Sequence, residues 1–435
     1  MKIAIAGLGT VGAETARQLI HHHDQIAQRS GMTMTVTAVS ARDANRDRGF
    51  SMDGIAFEQD PVALASRDDV DVVVELIGGD DGPALDLIEA ALANGKSVVT
   101  ANKALLAKHG ARLAAAAEDA GLALAGEASV AGGIPSLKML REGLVANRIS
   151  RISGILNGTC NYILSTMETT GRDFDDVLSE AQALGYAEAD PSFDVDGIDA
   201  AHKLALLTAI GYGVVPDFDA ISITGIRSVS AVDIAAAKNF GYAIRLLAIA
   251  ENHQGAITAS VQPTMVPLSS GLAKVDGPLN AVAIDGEPIG SVIAIGPGAG
   301  AGATASAVLA DIVDVATGRA APFFGAKAAT LSTASASNTG DICRFYLRLT
   351  VYDRPGVLAD VTAVLRDHNI SVESLLQQGR ADEGVNGTVP VVLTTHDTQS
   401  PSMLAAIEEI KKLDAVTAEP TVMVISGDAA HHDES

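Results

Sequence analysis

The apolar run KIAIA at residues 2–6 passes directly into Gly7-Leu8-Gly9-Thr10-Val11-Gly12 and then into the helical pattern ETARQLIHHH. No other feature restricts the fold as strongly. A short apolar strand followed within one tight turn by a helix is a βα unit. In a GxGxxG turn the first glycine allows the bend, the second admits a pyrophosphate to the backbone, and the third lets helix and strand pack closely. The free N–H groups of the helix start then face phosphate. The motif alone is weak, but the chain around it keeps alternating. MTVTAVS ending at Ser40, DVVVELIGG, KSVVTANK and ALAGEAS read as strands, while LDLIEAALANGK and ALLAKHGARLAAAAEDAG read as helices. The pattern predicts an α/β fold, a Rossmann-type doubly wound parallel sheet over residues 1–134. Gly7, Gly9, Thr10, Val11 and Gly12 form its dinucleotide-binding turn.

The second strand ends in Ser40-Ala41-Arg42-Asp43. An acidic residue at the strand end would bind the ribose hydroxyl of NAD, but Ser40 stands there. The guanidinium of Arg42 suits a 2′-phosphate, so NADP is expected, with NAD as the alternative through Asp43. The plainer reading of Arg42 is an exposed loop residue.

A chain of 435 residues suggests about two to four domains. Residues 135–320 mix strand-like ISRISGIL, YAIRLLAIAE, AITASVQPTMV and SVIAIG with helices at 160–183, 196–211 and 302–317. This is an α+β domain, with the last helix returning to the first domain. Residues 321–342, rich in Ala, Ser and Thr, read as a linker. Residues 343–427 read as strand, helix, strand, strand, helix, strand, a ferredoxin-like βαββαβ unit. Residues 428–435 read as a disordered tail.

The net charge of −23 argues against nucleic acid and against anionic membranes as partners. MKIAIAGLG is too short for a signal-peptide core, and Ser291 to Ala310 holds too much Gly, Ser and Thr for a membrane span. Cys160 and Cys343 offer neither a disulfide framework nor metal-ligand spacing. A cytoplasmic location is expected.

The stretch 181–203, AQALGYAEADPSFDVDGIDAAHK, carries the chemistry. Glu188, Asp190, Asp194, Asp196 and Asp199 lead into Lys203, which opens the apolar run LALLTAIGYGVV. On one helix, Asp196, Asp199 and Lys203 would share a face. A surface ion pair there would contribute about 0.2–0.5 kcal/mol. The sharper reading is a lysine poised for proton transfer among carboxylates that hold a substrate ammonium; a free lysine titrates near ~10.4 and is ready to donate.

With these pieces together, the chain resembles homoserine dehydrogenase of the long, monofunctional type. Ala181, Gly185, Asp190-Pro191, Asp194, Gly197, Asp199 and Lys203 carry the most specific part of the likeness. GLGTVG, TANKALL at 100–106, GEASVAGGIP at 126–135, LNGTCNYIL at 156–164 and GPGAGAGATASAVLAD at 296–311 extend it. The C-terminal unit resembles an ACT domain, with Asp353-Arg354-Pro355-Gly356-Val357-Leu358 leading into its first helix.

The resemblance implies reversible NADPH- or NADH-dependent reduction of L-aspartate 4-semialdehyde to L-homoserine. Lys203 would give the proton, Lys103 would sit by nicotinamide and substrate, and Glu188 and Asp199 would bind the substrate. Gly79, Gly185 and Gly300 would lie near the cofactor. Glu127, Val130, Gly132 and Ile134 would hold a monovalent cation, Na⁺. The 135–320 unit would be the substrate and dimerisation domain of a homodimer or homotetramer. L-Threonine would be the effector, with Gly356 and Asn369 as contacts, unless the ACT domain only holds the oligomer together. Two other readings stand beside this one: a catalytically silent NADP and amino-acid sensor, and a phosphorylating semialdehyde dehydrogenase using Cys160 as nucleophile.

Overall fold

The computed structural model describes residues 1–336, 342–377 and 387–427; the tail 428–435 lies outside them. The N-terminal layer contains β1 (Lys2–Ala6), α1 (Thr10–His21), α2 (His23–Ser30), β2 (Thr35–Ser40), β3 (Ala56–Glu58), β4 (Val72–Glu75), α3 (Pro83–Ala93), β5 (Ser97–Thr100), α4 (Lys103–Asp119) and β6 (Leu124–Ala125). Its strands are all parallel, in the order β3-β2-β1-β4-β5-β6. All four residues of β4, VVVE, are buried, because helices cover both faces of such a sheet. Strand order reverses between β1 and β4, which opens a crevice at their C-terminal ends. The doubly wound sheet expected from the alternation is present.

The middle of the chain supplies α5 (Ser136–Lys138), β7 (Arg148–Ile155), α6 (Gly158–Thr170), α7 (Phe174–Ala183), α8 (Ser192–Val195), α9 (Ile198–Tyr212), β8 (Ser222–Ile223), α10 (Ala231–Asn239), β9 (Tyr242–His253), β10 (Ala256–Pro267), β11 (Leu279–Glu287), β12 (Gly290–Pro297) and α11 (Ala301–Ala316). Helix α11 packs on α1, sharing a core with Ala16 and Leu19 through Ala307, Val308 and Ile312. The helix expected over 160–183 is two helices. Gly171 takes the left-handed conformation after α6, and Asp173 precedes α7. Strand β11 and helix α10 have no counterpart in the sequence reading. LNAVAIDGE carries Asn, Asp and Gly that mimic a turn, and α10 is short and alanine-rich.

The C-terminal unit follows a short β13 (Ser335–Ala336). It comprises β14 (Ile342–Tyr352), α12 (Val357–Asp367), β15 (Val372–Gln377), β16 (Thr388–Thr395), β17 (Thr398–Gln399), α13 (Ser400–Ile410) and β18 (Thr421–Ile425). Its sheet order, β18-β14-β16-β15, is that of the expected βαββαβ unit. This sheet does not stand apart. Strand β18 pairs in parallel with β10, so one sheet runs β12-β11-β7-β9-β10-β18-β14-β16-β15. The start of the connecting stretch is packed: Phe323 and Phe324 are buried edge to face at 4.8 Å. Among the described residues, no helix is long and apolar enough to cross a membrane.

Candidate active site

The glycine turn adopts the geometry its spacing demands. Gly7 has φ +92°, and a Cβ there would strike the Leu76 carbonyl. A Cβ on Gly12 would strike the Gly7 carbonyl, so α1 rests directly on the turn. Gly9, the N-cap of α1, faces open space, and Thr10 and Val11 begin the helix without a side-chain cap. Arg42 is exposed beyond β2. Arg48, which the sequence reading passed over, reaches back to the Leu8 carbonyl at 3.3 Å.

After β4, the carboxylate of buried Glu75 accepts the N–H groups of Ile77 (2.7 Å) and Gly78 (3.1 Å) and the hydroxyl of Thr100 (2.6 Å). This fixes the loop to Gly79, whose carbonyl accepts the Asn102 amide at 2.6 Å. Asn102 also caps α4 through Leu105 N–H. Gly78, Gly79 and Asn102 line a cleft of about 500 Å³ together with Asp80, Lys103, Phe193 and His202.

Helix α9 packs across α4 and brings the two lysines to one carboxylate. Asp199 Oδ2 accepts Lys203 Nζ at 2.7 Å, and its Oδ1 lies 3.1 Å from Lys103 Nζ. Lys203 Nζ also donates to the Leu156 carbonyl at 2.6 Å. Lys203 and Asp199 are buried, whereas the Lys103 side chain is 30% exposed. Burial opposes ionisation of Asp199. The two ammonium groups and the hydrogen bonds from Lys203 and Asn157 outweigh it and hold the carboxyl below the usual carboxylate range. Its place in the first turn of α9 favours the anion further.

The predicted ring of carboxylates is smaller than the sequence suggested. Asp196 is not on the face of Lys203. Gly197 takes φ +87° and starts α9 afresh, which leaves Asp196 outside, paired with Arg227 at 2.5 Å. Glu188 lies exposed in the loop after α7, where its carbonyl accepts from Gln182. Asp194 does join the site. Asn157, absent from the sequence reading of the site, bridges it: Nδ2 donates to Asp194 Oδ1 and to Asp199 Oδ2, both at 2.8 Å. Its Oδ1 caps α6 through Cys160 N–H. The capping position was legible from Asn-Gly-Thr, but the bridge spans contacts remote in sequence. Burial pushes the Asp194 carboxyl upward.

Cys160 does not behave as a nucleophile. It is fully buried, its thiol donates to the Asp194 carbonyl at 3.2 Å, and burial with nearby carboxylates raises its pKa well above the ordinary value. Cys160→Ala is expected to keep kcat within the same order of magnitude; loss of all turnover in steady-state assays would instead support a thiol mechanism.

Glu127 is buried, and its carboxylate accepts N–H groups from Leu137 (2.9 Å) and Lys138 (3.0 Å) at the start of α5. Burial and then Asp311 push its pKa up to about 7. Among the described residues no lysine or arginine pairs with it. Val130, Gly132 and Ile134 are buried on the same bend, and Gly133 N–H donates to the Pro297 carbonyl at 3.0 Å. Thus the 126–135 and 296–300 motifs meet. A buried carboxylate without a paired cation, on a bend offering carbonyls, is chemistry that suits a hard monovalent ion. Gly185 follows α7 and Gly300 caps α11, both exposed. Gly356 and Asn369 stand at opposite ends of α12, so one subunit does not bring them together.

A dinucleotide turn at the switch point of a parallel sheet, beside a cleft where one buried carboxylate pairs with two lysines, defines a nicotinamide-dependent oxidoreductase. Its C-terminal unit is an ACT domain, matched over residues 345–414. Family profiles match residues 7–126 as the NAD-binding domain of homoserine dehydrogenase and 135–313 as homoserine dehydrogenase itself. The homoserine dehydrogenase of Neisseria gonorrhoeae is 41% identical over 431 residues, 98% of each chain. The crystal structure of a homoserine dehydrogenase from Thiobacillus denitrificans superposes with a TM-score of 0.90 at 41% identity, covering 98% of both chains. A hyperthermophilic archaeal homoserine dehydrogenase in complex with NADPH gives 0.61 at 29% identity, over 72% of this chain and 97% of that one. The chain belongs to the homoserine dehydrogenase family.

Proposed function

We propose that the protein reversibly reduces L-aspartate 4-semialdehyde to L-homoserine, with NADPH preferred over NADH. One observation carries the reading: the buried Asp199 carboxylate joins Lys203 to Lys103, and Lys103 lines the cleft next to the loop that rests on the dinucleotide turn. The bound dinucleotide supplies the hydride. Gly7, Gly9, Thr10, Val11 and Gly12 would seat its pyrophosphate, Gly79, Gly185 and Gly300 would lie near it, and Arg42 would meet the 2′-phosphate. Lys203 gives its proton to the aldehyde oxygen as negative charge builds there, and takes it back in the reverse direction. Asp199 orients both lysines, Lys103 polarises the same oxygen, and Glu188 would reach the substrate ammonium only from its exposed loop after α7.

Glu127, Val130, Gly132 and Ile134 would hold a monovalent cation, Na⁺, which would balance the buried Glu127 carboxylate and take no part in proton or hydride transfer. L-Threonine is the proposed effector, acting through the ACT domain with Gly356 and Asn369 as contacts. Among the described residues no strand covers the outer edge of β15, which supports pairing of copies into a homodimer or homotetramer.

The test is oxidation of L-homoserine by the full chain with NADP⁺ and with NAD⁺. NADP⁺ is expected to give the higher kcat/KM, and Arg42→Ala to erode that preference about tenfold through loss of a charge-assisted phosphate contact. Cofactor binding without turnover of either substrate would contradict the proposal and favour a sensor.

A further inference from the structure

The turn α8 carries two groups into the candidate site. Asp194 meets Asn157, and the Phe193 ring lies 5.7 Å from Lys103 Nζ. Segment 225–227 holds α8 from behind. A Cβ on Gly225 would strike the Val195 carbonyl, so backbone rests on backbone there. Ile226 N–H donates to Val195 O at 2.9 Å. Arg227 ties both ends of the turn: Nε donates to Asp196 Oδ1 at 2.5 Å and Nη2 to Ser192 Oγ at 3.1 Å.

Three residues further on, the same segment enters the ACT interface. Ser230 and Asp233 form a reciprocal capping box at the start of α10, using Asp233 Oδ2. Asp233 is fully buried. Its Oδ1 accepts Tyr346 Oη at 2.8 Å and Arg348 Nε at 2.7 Å, both from β14 of the ACT sheet. Arg348 also donates to the Ser228 carbonyl at 3.3 Å. One short segment is therefore gripped at one end by the regulatory sheet and at the other grips the turn that faces the substrate.

We propose that Arg227 is a positioning residue for catalysis, and that the ACT domain acts on the reaction through Asp233 and Arg227. This rests on the reading of the cleft as a homoserine dehydrogenase site. The Arg227–Asp196 pair is nearly half exposed on both sides. Exposed pairs add little to stability, so a purely structural Arg227 would be almost silent on removal. A positioning Arg227 would instead alter turnover of the amino-acid substrate and leave the dinucleotide unaffected.

The experiment is a double-mutant cycle on the full chain: wild type, Arg227→Gln, Tyr346→Phe and the double variant, read as kcat/KM for L-homoserine at saturating NADP⁺. R227Q is expected to lower kcat/KM about tenfold and Y346F about threefold, with KM for NADP⁺ unchanged. The double variant is expected to be no worse than R227Q, because the route is already cut. Effects that multiply, as for independent sites, would overturn the inference, and so would an R227Q enzyme with wild-type kcat/KM. If R227Q fails to fold, Ser192→Ala removes only the hydroxyl end of the tie; it is expected to lower kcat/KM about threefold, and no change would overturn the inference. A wild type inert toward L-homoserine would overturn the assigned reaction and the inference with it, whereas an active wild type with multiplying effects overturns the inference alone.

Discussion

Replacing Lys203 by alanine is expected to lower kcat by about 10²–10⁴-fold, the usual contribution of a positioned general acid. The fold should survive. Removing the lysine leaves Asp199 still paired with Lys103 at 3.1 Å and bonded to Asn157 at 2.8 Å, so no uncompensated charge is created. The glycine turn is built from β1, α1 and the Leu76 loop, none of which touches Lys203, so NADP⁺ affinity should be retained. A circular-dichroism melt and a cofactor titration establish those two points, and steady-state kinetics then reads the chemistry. Equal losses in kcat and kcat/KM would mark an interaction made only in the transition state.

Asp199→Ala should be damaging in a different way. It strips the carboxylate from Lys203, whose remaining partner is the Leu156 carbonyl, and leaves an ammonium buried. Breaking a buried pair by deleting one partner costs about 3–5 kcal/mol. Both lysines also lose the group that aims them, and misplacement of about 1 Å can cost ~10²-fold in rate. The pH dependence has a definite sign. The folded-state carboxyl titrates below its unfolded value of ~3.9, so its contribution is complete above about pH 4 and drains away as pH falls through the folded pKa. Denaturant melts should therefore show a wild-type advantage over D199A that is constant near neutrality and narrows only in acid. An advantage that grows on acidification would contradict the electrostatic account.

What could be read from the chain alone was what lies close in sequence. The GxGxxG turn, the alternating layers and the βαββαβ tail are local patterns, and Asp199 and Lys203 meet because four residues make about one helical turn. Asp196 was misplaced by the same logic. The i, i+3 argument holds only on a continuous helix, and Gly197 interrupts this one. Lys103 joins Asp199 only through packing of α4 on α9, and Asn157 reaches two carboxylates that enter from α8 and α9. No periodicity records such contacts. The continuity of the ACT sheet with β10 was hidden for the same reason: parallel pairing of Thr264 with Val424 joins strands of two domains that are remote in sequence. The 126–135 bend was visible as a motif, but its meeting with the 297–300 loop was not.

The most direct measurement is single-turnover oxidation of NADPH by K203A with L-aspartate 4-semialdehyde, with and without added methylammonium. The account predicts a rate at least about 10²-fold below wild type that rises with methylammonium, as a small ammonium enters the space left by the side chain and supplies the missing proton. A K203A rate equal to that of the wild type, with no response to the amine, would contradict it.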